Sequence, residues 1–115
     1  MTIQLKRVYE EPAKSDGTRI LVDRLWPRGL TKEKAHIDLW LKEVAPTDDL
    51  RKWFGHDPAR WPEFRARYRA ELKRNHEQLA LLRQALAKGP ATIVYGAKDE
   101  EHNQAVVLRE LLSHG

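Results

Sequence analysis

The side chains best suited to binding or transforming a ligand lie in two short segments of the sequence. The first segment, residues 23–29, reads Asp-Arg-Leu-Trp-Pro-Arg-Gly. Arg24 and Arg28 could form a bidentate clamp on a phosphate or carboxylate, and Trp26 offers a face for stacking. In the structural alternative, Arg24 pairs with an acidic side chain and Trp26 is buried in the core. Asp23 is a candidate general base or the partner of Arg24.

The second segment, residues 96–103, reads Gly-Ala-Lys-Asp-Glu-Glu-His-Asn. It runs from a predicted strand into the predicted start of a helix, where backbone N–H groups and the helix dipole favour an anion. Lys98 adds a positive charge there, whereas the two glutamates would oppose a bound phosphate. His102 is a candidate acid or base, and Asn103 is its hydrogen-bonding companion. A histidine in this position is also common on an ordinary helix surface.

A weaker candidate is His56, which precedes Asp57 and could act as a base oriented by that carboxylate. Alternatively, Asp57 only caps the following helix. The sequence has no cysteine, which excludes thiolate metal sites and a cysteine nucleophile. The remaining histidines show no ligand spacing, and no GxGxxG, GxSxG or HExxH motif occurs. We therefore expect no structural metal and no bound cofactor.

Several segments have the pattern of β-strands. Residues 3–8 alternate apolar and polar side chains, which is typical of a strand with one buried face. Residues 19–25 begin with an uninterrupted apolar run and residues 91–95 form another, which is the pattern of strands buried on both faces. Residues 37–44 alternate again, and they fit either a further strand or a short helix.

Helical periodicity is clearest between residues 61 and 86, where apolar side chains recur at spacings of three, four and seven. Asn75 interrupts this stripe and forms a capping-box pattern with Gln78, so we expect two helices that meet near Asn75. A single kinked helix is the alternative. A last helix is predicted over residues 100–113, with Asp99 as its N-cap. Its buried stripe would consist of Ala105, Val106, Leu108 and Leu112.

Strands that alternate with helices, two of them uniformly apolar, indicate an α/β protein. We expect a single small three-layer domain over residues 1–115, with a mainly parallel sheet and helices on both faces. Ligands of such sheets bind beyond the carboxyl ends of the strands. This rule selects residues 23–29 and 96–103, the same segments that carry the candidate side chains.

The composition is that of a globular protein with a local concentration of positive charge. With 115 residues, 41% hydrophobic and 33% charged, the chain can bury one core without disulfides. Its formal charge is +4, and residues 51–74 contain eight Lys and Arg against three Asp and Glu. This segment is either the solvated face of an amphipathic helix or a surface for nucleic acid or an acidic partner.

No apolar stretch of the sequence approaches the roughly 20 residues that span a membrane. Lys6 and Arg7 interrupt the apolar residues near the N-terminus, so a signal peptide is not expected. The sequence therefore predicts a cytoplasmic protein that makes no contact with a membrane.

Three segments carry a resemblance to a known family. Residues 22–29, 53–58 and 95–105, which read VDRLWPRG, WFGHDP and YGAKDEEHNQA, together resemble the YeaO-like bacterial proteins, a group within domain-of-unknown-function family 488. The resemblance covers nearly the whole chain and implies a compact α/β domain with no established reaction. The resemblance also implies that relatives in the wider family carry a Cys-His-Arg cluster at the start of the last helix, roughly where this chain has His102-Asn103-Gln104. Thiol chemistry therefore does not carry over to this chain.

Together these observations favour a site for an anionic, nucleotide-like small molecule at the strand ends. The groups that bind it would be Arg24, Trp26, Arg28, Lys98 and Asn103. Any proton transfer would involve Asp23, His56 or His102. The rival interpretations are a protein-interaction domain without a ligand and a nucleic-acid-binding module that uses Arg65, Arg67, Arg69, Lys73 and Arg74. The sequence names no nucleophile, and it leaves catalysis and the oligomeric state open.

Overall fold

A computed structural model of the chain describes residues 3–114, which form four strands and five α-helices. The strands are β1 (Gln4–Arg7), β2 (Thr18–Leu21), β3 (Leu39–Trp40) and β4 (Ala91–Tyr95). The α-helices are α1 (Lys32–Ala35), α2 (Asp48–Phe54), α3 (Trp61–Arg74), α4 (His76–Ala87) and α5 (Gln104–His114). Within the described residues, no helix is long and apolar enough to cross a bilayer.

The four strands form one sheet in the order β1-β4-β2-β3, and every neighbouring pair is parallel. Ile93 in β4 lies opposite Leu5 on one side and Ile20 on the other. The apolar side chains of the two central strands, including Ile20 and Leu21 of β2 and Ile93 and Val94 of β4, are buried because both faces of these strands are covered. The predicted parallel α/β sheet is confirmed.

The two faces of the sheet are covered unequally. On one face, Ile20 and Ile93 belong to a large core with buried side chains of α2, α3, α4 and α5. On the other face, Leu21 and Val94 pack in a small core with Ala35 of α1. The prediction of helices on both faces is confirmed, although α1 is the only α-helix on the second face within residues 3–114. The loops around α1 complete that layer.

The break between α3 and α4 lies at Asn75, as predicted, but its cause is different from the one expected. The Asn75 side chain caps no helix, and its Nδ2 instead donates to the backbone oxygen of Glu43 at 2.7 Å. The predicted capping box with Gln78 is therefore wrong at the level of side chains. The local sequence pattern assigned the Asn75 side chain to helix capping, but in the structure its amide binds Glu43, which is distant in the sequence.

The last helix begins later than predicted. It starts at Gln104, and Asn103 caps it by accepting from the backbone N–H of Val106 at 3.2 Å. Asp99 accepts from the backbone N–H groups of Glu101 and His102, so it stabilises a turn that precedes the helix. Both residues have capping side chains, and the sequence pattern selected the wrong one.

The buried stripe of α5 also differs at one position from the prediction. Val107 is fully buried with Ala105 and Leu108, whereas Val106 is only half-buried. Two adjacent valines leave the phase of an apolar stripe undetermined by periodicity alone.

The strand predicted within residues 37–44 is much shorter in the structure. β3 contains only Leu39–Trp40, and a 3-10 turn at Lys42–Val44 follows it. The segment therefore contains both a short strand and a short helical turn, the two structures that the sequence left open. The turn places the backbone oxygen of Val44 2.6 Å from the buried hydroxyl of Tyr68, which donates to it.

A buried ion pair that the sequence analysis did not predict fixes α1 on the sheet. Arg19, only 3% exposed, donates to the Asp16 carboxylate at 2.7 Å. Its Nε and Nη2 also donate to the backbone oxygen of Ala35 at the end of α1. A buried charge is tolerated when it is paired and hydrogen-bonded in this way.

Gly17, which follows Asp16, has no room for a side chain. Its φ is +64°, and a Cβ there would lie 2.1 Å from the backbone oxygen of Pro90, which accepts from Thr18 at 2.9 Å.

We expect Gly17→Ala to lower the free energy of unfolding by about 3 kcal/mol or more. Gly29→Ala is the matched control, since Gly29 has φ +81° but no atom within 4 Å of its Cβ position. Urea denaturation should show a loss of about 1–2 kcal/mol for this control; equal losses would refute the steric explanation.

Candidate ligand site at the strand ends

A cavity of about 320 Å³ opens at the carboxyl ends of β2 and β4. Of the residues predicted from the sequence, it is lined by Asp23, Arg24, Trp26, Arg28, His56, His102 and Asn103. Other lining residues include Tyr9, Leu25, Arg51, Phe54, Phe64 and Gln104. The location is the one expected for ligands of parallel sheets, because the loops that leave neighbouring strands meet there.

Asp23 joins three elements at the base of this cavity. It follows the end of β2, and its Oδ2 accepts from the backbone N–H of Gly96, just beyond β4, at 2.8 Å. Its Oδ1 accepts from the side-chain amide of Gln104, the first residue of α5. Gly96 is needed for this approach, because a Cβ there would lie 2.7 Å from Asp23 Oδ2. Asp23 therefore does not pair with Arg24, the structural role considered from the sequence.

Burial raises the pKa of Asp23 from 3.8 to about 6, although the hydrogen bonds from Gly96 and Gln104 act in the opposite direction. Desolvation penalises the charged carboxylate more than the two donors stabilise it. The carboxyl group can therefore gain or lose a proton close to neutral pH, which is a property of groups that act in proton transfer or in pH-dependent binding.

The two arginines of the first segment have different environments. Arg24 Nε donates to the backbone oxygen of Pro46 at 3.0 Å, and its Nη2 donates to that of Ala45 at 3.1 Å. These bonds commit much of its guanidinium to holding the loop before α2, with Glu43 3.6 Å away. Arg28 is exposed at the cavity, and its guanidinium has no hydrogen bond or ion pair with any residue in the described part of the chain.

Trp26 combines the two roles that the sequence left open. Its indole Nε1 donates to the backbone oxygen of Leu30 at 2.7 Å, and its ring packs against the small core of the second face. It also lines the cavity, and it meets Trp40 edge-on with ring centroids 5.4 Å apart. The hydrogen bond and the packing hold the ring in place.

His56 has an unusual backbone conformation. It follows Gly55, and both residues are left-handed, with φ values of +58° and +53°. A residue with a side chain is uncommon in this region, and such strain is concentrated at functional sites. Asp57 does not orient the imidazole, since its carboxylate accepts from the backbone N–H of Ala59 at 3.0 Å. The left-handed turn is the feature that places His56 at the cavity.

His102 is held by a carboxylate. Its Nδ1 lies 2.8 Å from Asp99 Oδ2, and its ring meets Trp61 edge-on at 5.3 Å. Hydrogen bonds from the backbone of Glu101 and from His102 lower the pKa of Asp99. A carboxylate that holds one imidazole nitrogen leaves Nε2 for a ligand or a proton, which is the arrangement of an oriented acid or base.

Asn103 and Lys98 are less suited to a ligand than the sequence suggested. Asn103 is 2% exposed, and its amide donates to the Asp99 backbone at 2.8 Å while its oxygen caps α5. Its hydrogen-bonding groups are thus largely occupied by the protein. Lys98 is exposed and does not belong to the cavity lining. Among the described residues, no group of three or more His, Cys, Asp and Glu side chains is arranged to hold a metal ion.

Three polar residues of the site were missed from the sequence. Tyr9 directly follows the region of β1, so the strand-end rule could have selected it once β1 was placed beside β4. Arg51 lies on α2 and pairs with Asp48 at 3.3 Å, and Gln104 begins α5. No local pattern distinguishes these last two residues, because only the packing of their helices brings them to the cavity.

The fold and the site together define a small α/β domain with an all-parallel sheet and, at the strand ends, a cavity lined by apolar and charged side chains. The chain belongs to the DUF488-N3i family, described as the "Inactive DUF488-N3 subclade", whose match spans residues 2–115. It is 44% identical over 112 residues to "Uncharacterized protein YeaO" of Escherichia coli strain K12, covering 97% of each chain. It is 39% identical over 113 residues to "Uncharacterized protein Rv3073c" of Mycobacterium tuberculosis strain H37Rv, covering 96% of this chain and 93% of the relative. The resemblance in the three sequence segments is therefore confirmed. No solved structure matches the chain significantly.

The raised pKa of Asp23 makes stability depend on pH in a defined direction. The folded state holds the proton more tightly than the unfolded state, so stability falls as pH rises from about 4 to about 6. Asp23→Asn removes this titration. The unfolding free energy of the variant minus that of the wild type should therefore increase with pH, by up to about 3 kcal/mol. Denaturation curves collected from acid to neutral pH test this expectation, and a difference that does not vary with pH would contradict it.

Proposed function

We propose that the cavity at the strand ends binds a small anionic ligand that also carries an apolar or aromatic part, and that the protein acts by binding. The observation that carries the proposal is the exposed guanidinium of Arg28, which faces a concave site without an intramolecular partner in the described residues. Arg24 and Arg51 add positive charge that Glu43 and Asp48 partly compensate, and His56 and His102 add imidazoles. Asp23 is the only carboxylate among the described lining residues. An anion is therefore the complementary ligand.

The remaining lining suits an apolar or planar group. Phe54 and Phe64 stack with centroids 4.3 Å apart, and both line the cavity with Trp26 and Tyr9. The volume of about 320 Å³ is at the small end of the usual range for ligand sites, about 300–1,000 Å³. Such a volume favours one compact molecule, and a nucleoside monophosphate combines the required charge with a planar ring.

Binding is favoured over covalent catalysis by the chemistry of the lining. The described lining residues include no Ser, Thr, Cys or Lys side chain, the groups that most often form covalent intermediates. The description of the family as an inactive subclade points the same way. The pairing of His102 with Asp99 would then serve to orient a hydrogen bond to the ligand.

The rival proposal, nucleic-acid binding by residues 51–74, has less support. Arg65 and Arg69 are both ion-paired with Glu110, and Arg67 is ion-paired with Glu63. Their charges are partly compensated within the protein, so fewer cations on this helix are free to neutralise phosphates.

The proposal is tested by screening nucleoside monophosphates, sugar phosphates and small carboxylates for thermal stabilisation. A ligand at about 100 times its Kd stabilises by about 2.7 kcal/mol, which raises Tm by several degrees. We expect Arg28→Ala to weaken binding of the best probe about tenfold or more, because a charge-assisted hydrogen bond is lost. Isothermal titration calorimetry gives the Kd of each variant.

The matched control removes two arginines from outside the cavity. Arg67→Ala combined with Arg69→Ala should leave the Kd of the probe unchanged, because neither residue lines the cavity. If this double variant weakens binding while Arg28→Ala does not, the site is on α3 and the proposal is wrong. A screen in which no probe shifts Tm also contradicts it.

A further inference from the structure

The exposed apolar side chains of the protein are concentrated at the mouth of the cavity. Among the described residues, the large hydrophobic side chains with substantial exposure are Tyr9, Leu25, Trp40 and Leu81. Tyr9 and Leu25 line the cavity, and Trp40 contacts Trp26, which also lines it. Leu81 lies apart from them, on α4. A cluster of exposed apolar groups around a binding site indicates that a ligand extends beyond the site.

The two aromatic side chains of this cluster are fixed in place. The hydroxyl of Tyr9 donates to the backbone oxygen of Arg28 at 2.9 Å, and the indole of Trp40 donates to that of Asp23 at 2.7 Å. Both rings are therefore anchored to opposite ends of the segment that lines the cavity. They nevertheless remain 44% and 37% exposed. Rigid, exposed rings lose little entropy when another flat group stacks on them.

Each of these rings has a cation beside it. The guanidinium carbon of Arg7 lies over the Tyr9 ring, 5.5 Å from its centroid, while Arg7 Nε donates to the backbone oxygen of Ala97 at 2.9 Å. The Lys42 ammonium lies over the Trp40 ring, 5.6 Å from its centroid. An aromatic ring next to a cation is the combination that binds the base and the phosphate of one nucleotide. The site thus presents two such pairs, one at each end of residues 23–28, with the free guanidinium of Arg28 in the cavity.

Three carboxylates near the mouth each have a partner within the protein, which compensates part of their charge. Glu10 accepts from the backbone N–H of Arg7 at 2.9 Å, and Glu43 lies 3.6 Å from Arg24. Asp23 accepts from Gly96. An acidic peptide would use the cations but would leave the exposed parts of the two rings uncovered. The aromatic faces therefore favour nucleic acid as the extended ligand.

We infer that the cavity binds one nucleotide of a single-stranded nucleic acid, and that the bases on either side of it stack on Tyr9 and Trp40. This inference rests on the proposed function of the cavity. One phosphate binds at Arg28, and Arg7 and Lys42 neutralise phosphates on either side of it. The surface differs from the basic face of α3, since it consists of loops at the strand ends.

The test compares a labelled oligothymidylate of about eight nucleotides that carries a 5′-phosphate with thymidine monophosphate. We expect the oligomer to bind at least about tenfold tighter, because each stacked base contributes roughly fivefold or more. An abasic oligomer of equal charge should lose this advantage. Fluorescence anisotropy and competition give the Kd values. If the abasic oligomer or a polyglutamate peptide of equal charge binds as tightly as the oligothymidylate, the role assigned to the rings is wrong.

Paired variants separate stacking from support of the loop. Tyr9→Phe and Trp40→Phe keep a ring but delete its hydrogen bond, whereas Tyr9→Leu and Trp40→Leu remove the ring as well. The Leu variants should reduce the advantage of the oligomer over the mononucleotide about fivefold or more, and the Phe variants should largely keep it. Equal losses in the Phe and Leu variants would show that the rings only brace the loop, which overturns the inference.

The outcomes also separate this inference from the function on which it rests. Leu81→Ala removes an exposed apolar side chain remote from the cavity, and it should change neither Kd. If the mononucleotide binds at Arg28 but the oligomer binds no tighter, the inference is refuted and the small-ligand site stands. If neither binds, both are refuted.

Discussion

The carboxylate of Asp23 ties together the three elements on which the strand-end cavity is built. It accepts from Gly96 beyond β4 and from Gln104 at the start of α5, while it directly follows the β2 region. These bonds fix the separation of the two central strands at their carboxyl ends, and they orient the loops that carry Arg28 and His102. The cost is a partly desolvated carboxylate whose pKa is raised to about 6.

The unequal covering of the sheet explains why a site exists at this edge. Four helices cover one face, whereas the second face has α1, which the buried Arg19–Asp16 pair holds in place. The segment after β2 lines the cavity at the strand ends, and Arg24 braces it on the loop before α2. Arg28 of this segment is exposed, and its guanidinium has no hydrogen-bonding or ionic partner among the described residues.

The fold was predictable where local pattern and tertiary packing agree. The run at Ala91–Tyr95 is a central strand as predicted, and the strand-end rule selected both segments that line the cavity. Prediction failed where a polar side chain has several possible partners. Asn75 binds Glu43 rather than capping α4. Arg24 pairs with Glu43, the alternative that the sequence left open, but its hydrogen bonds to the backbone oxygens of Ala45 and Pro46 were not predicted. Arg51 and Gln104 reach the cavity only through helix packing, which no spacing in the sequence encodes.

The most direct test of a charged site at the strand ends is an NMR titration of ¹⁵N-labelled protein with a nucleoside monophosphate. Binding at the strand ends should shift the backbone signal of Gly96, the side-chain amide of Gln104 and the guanidinium signal of Arg28 together, with one Kd. The signals of α3 outside the cavity, including those of Arg67, should remain in place. Shifts confined to α3, with Gly96 and Gln104 unaffected, would contradict the account and move the binding surface to the basic helix.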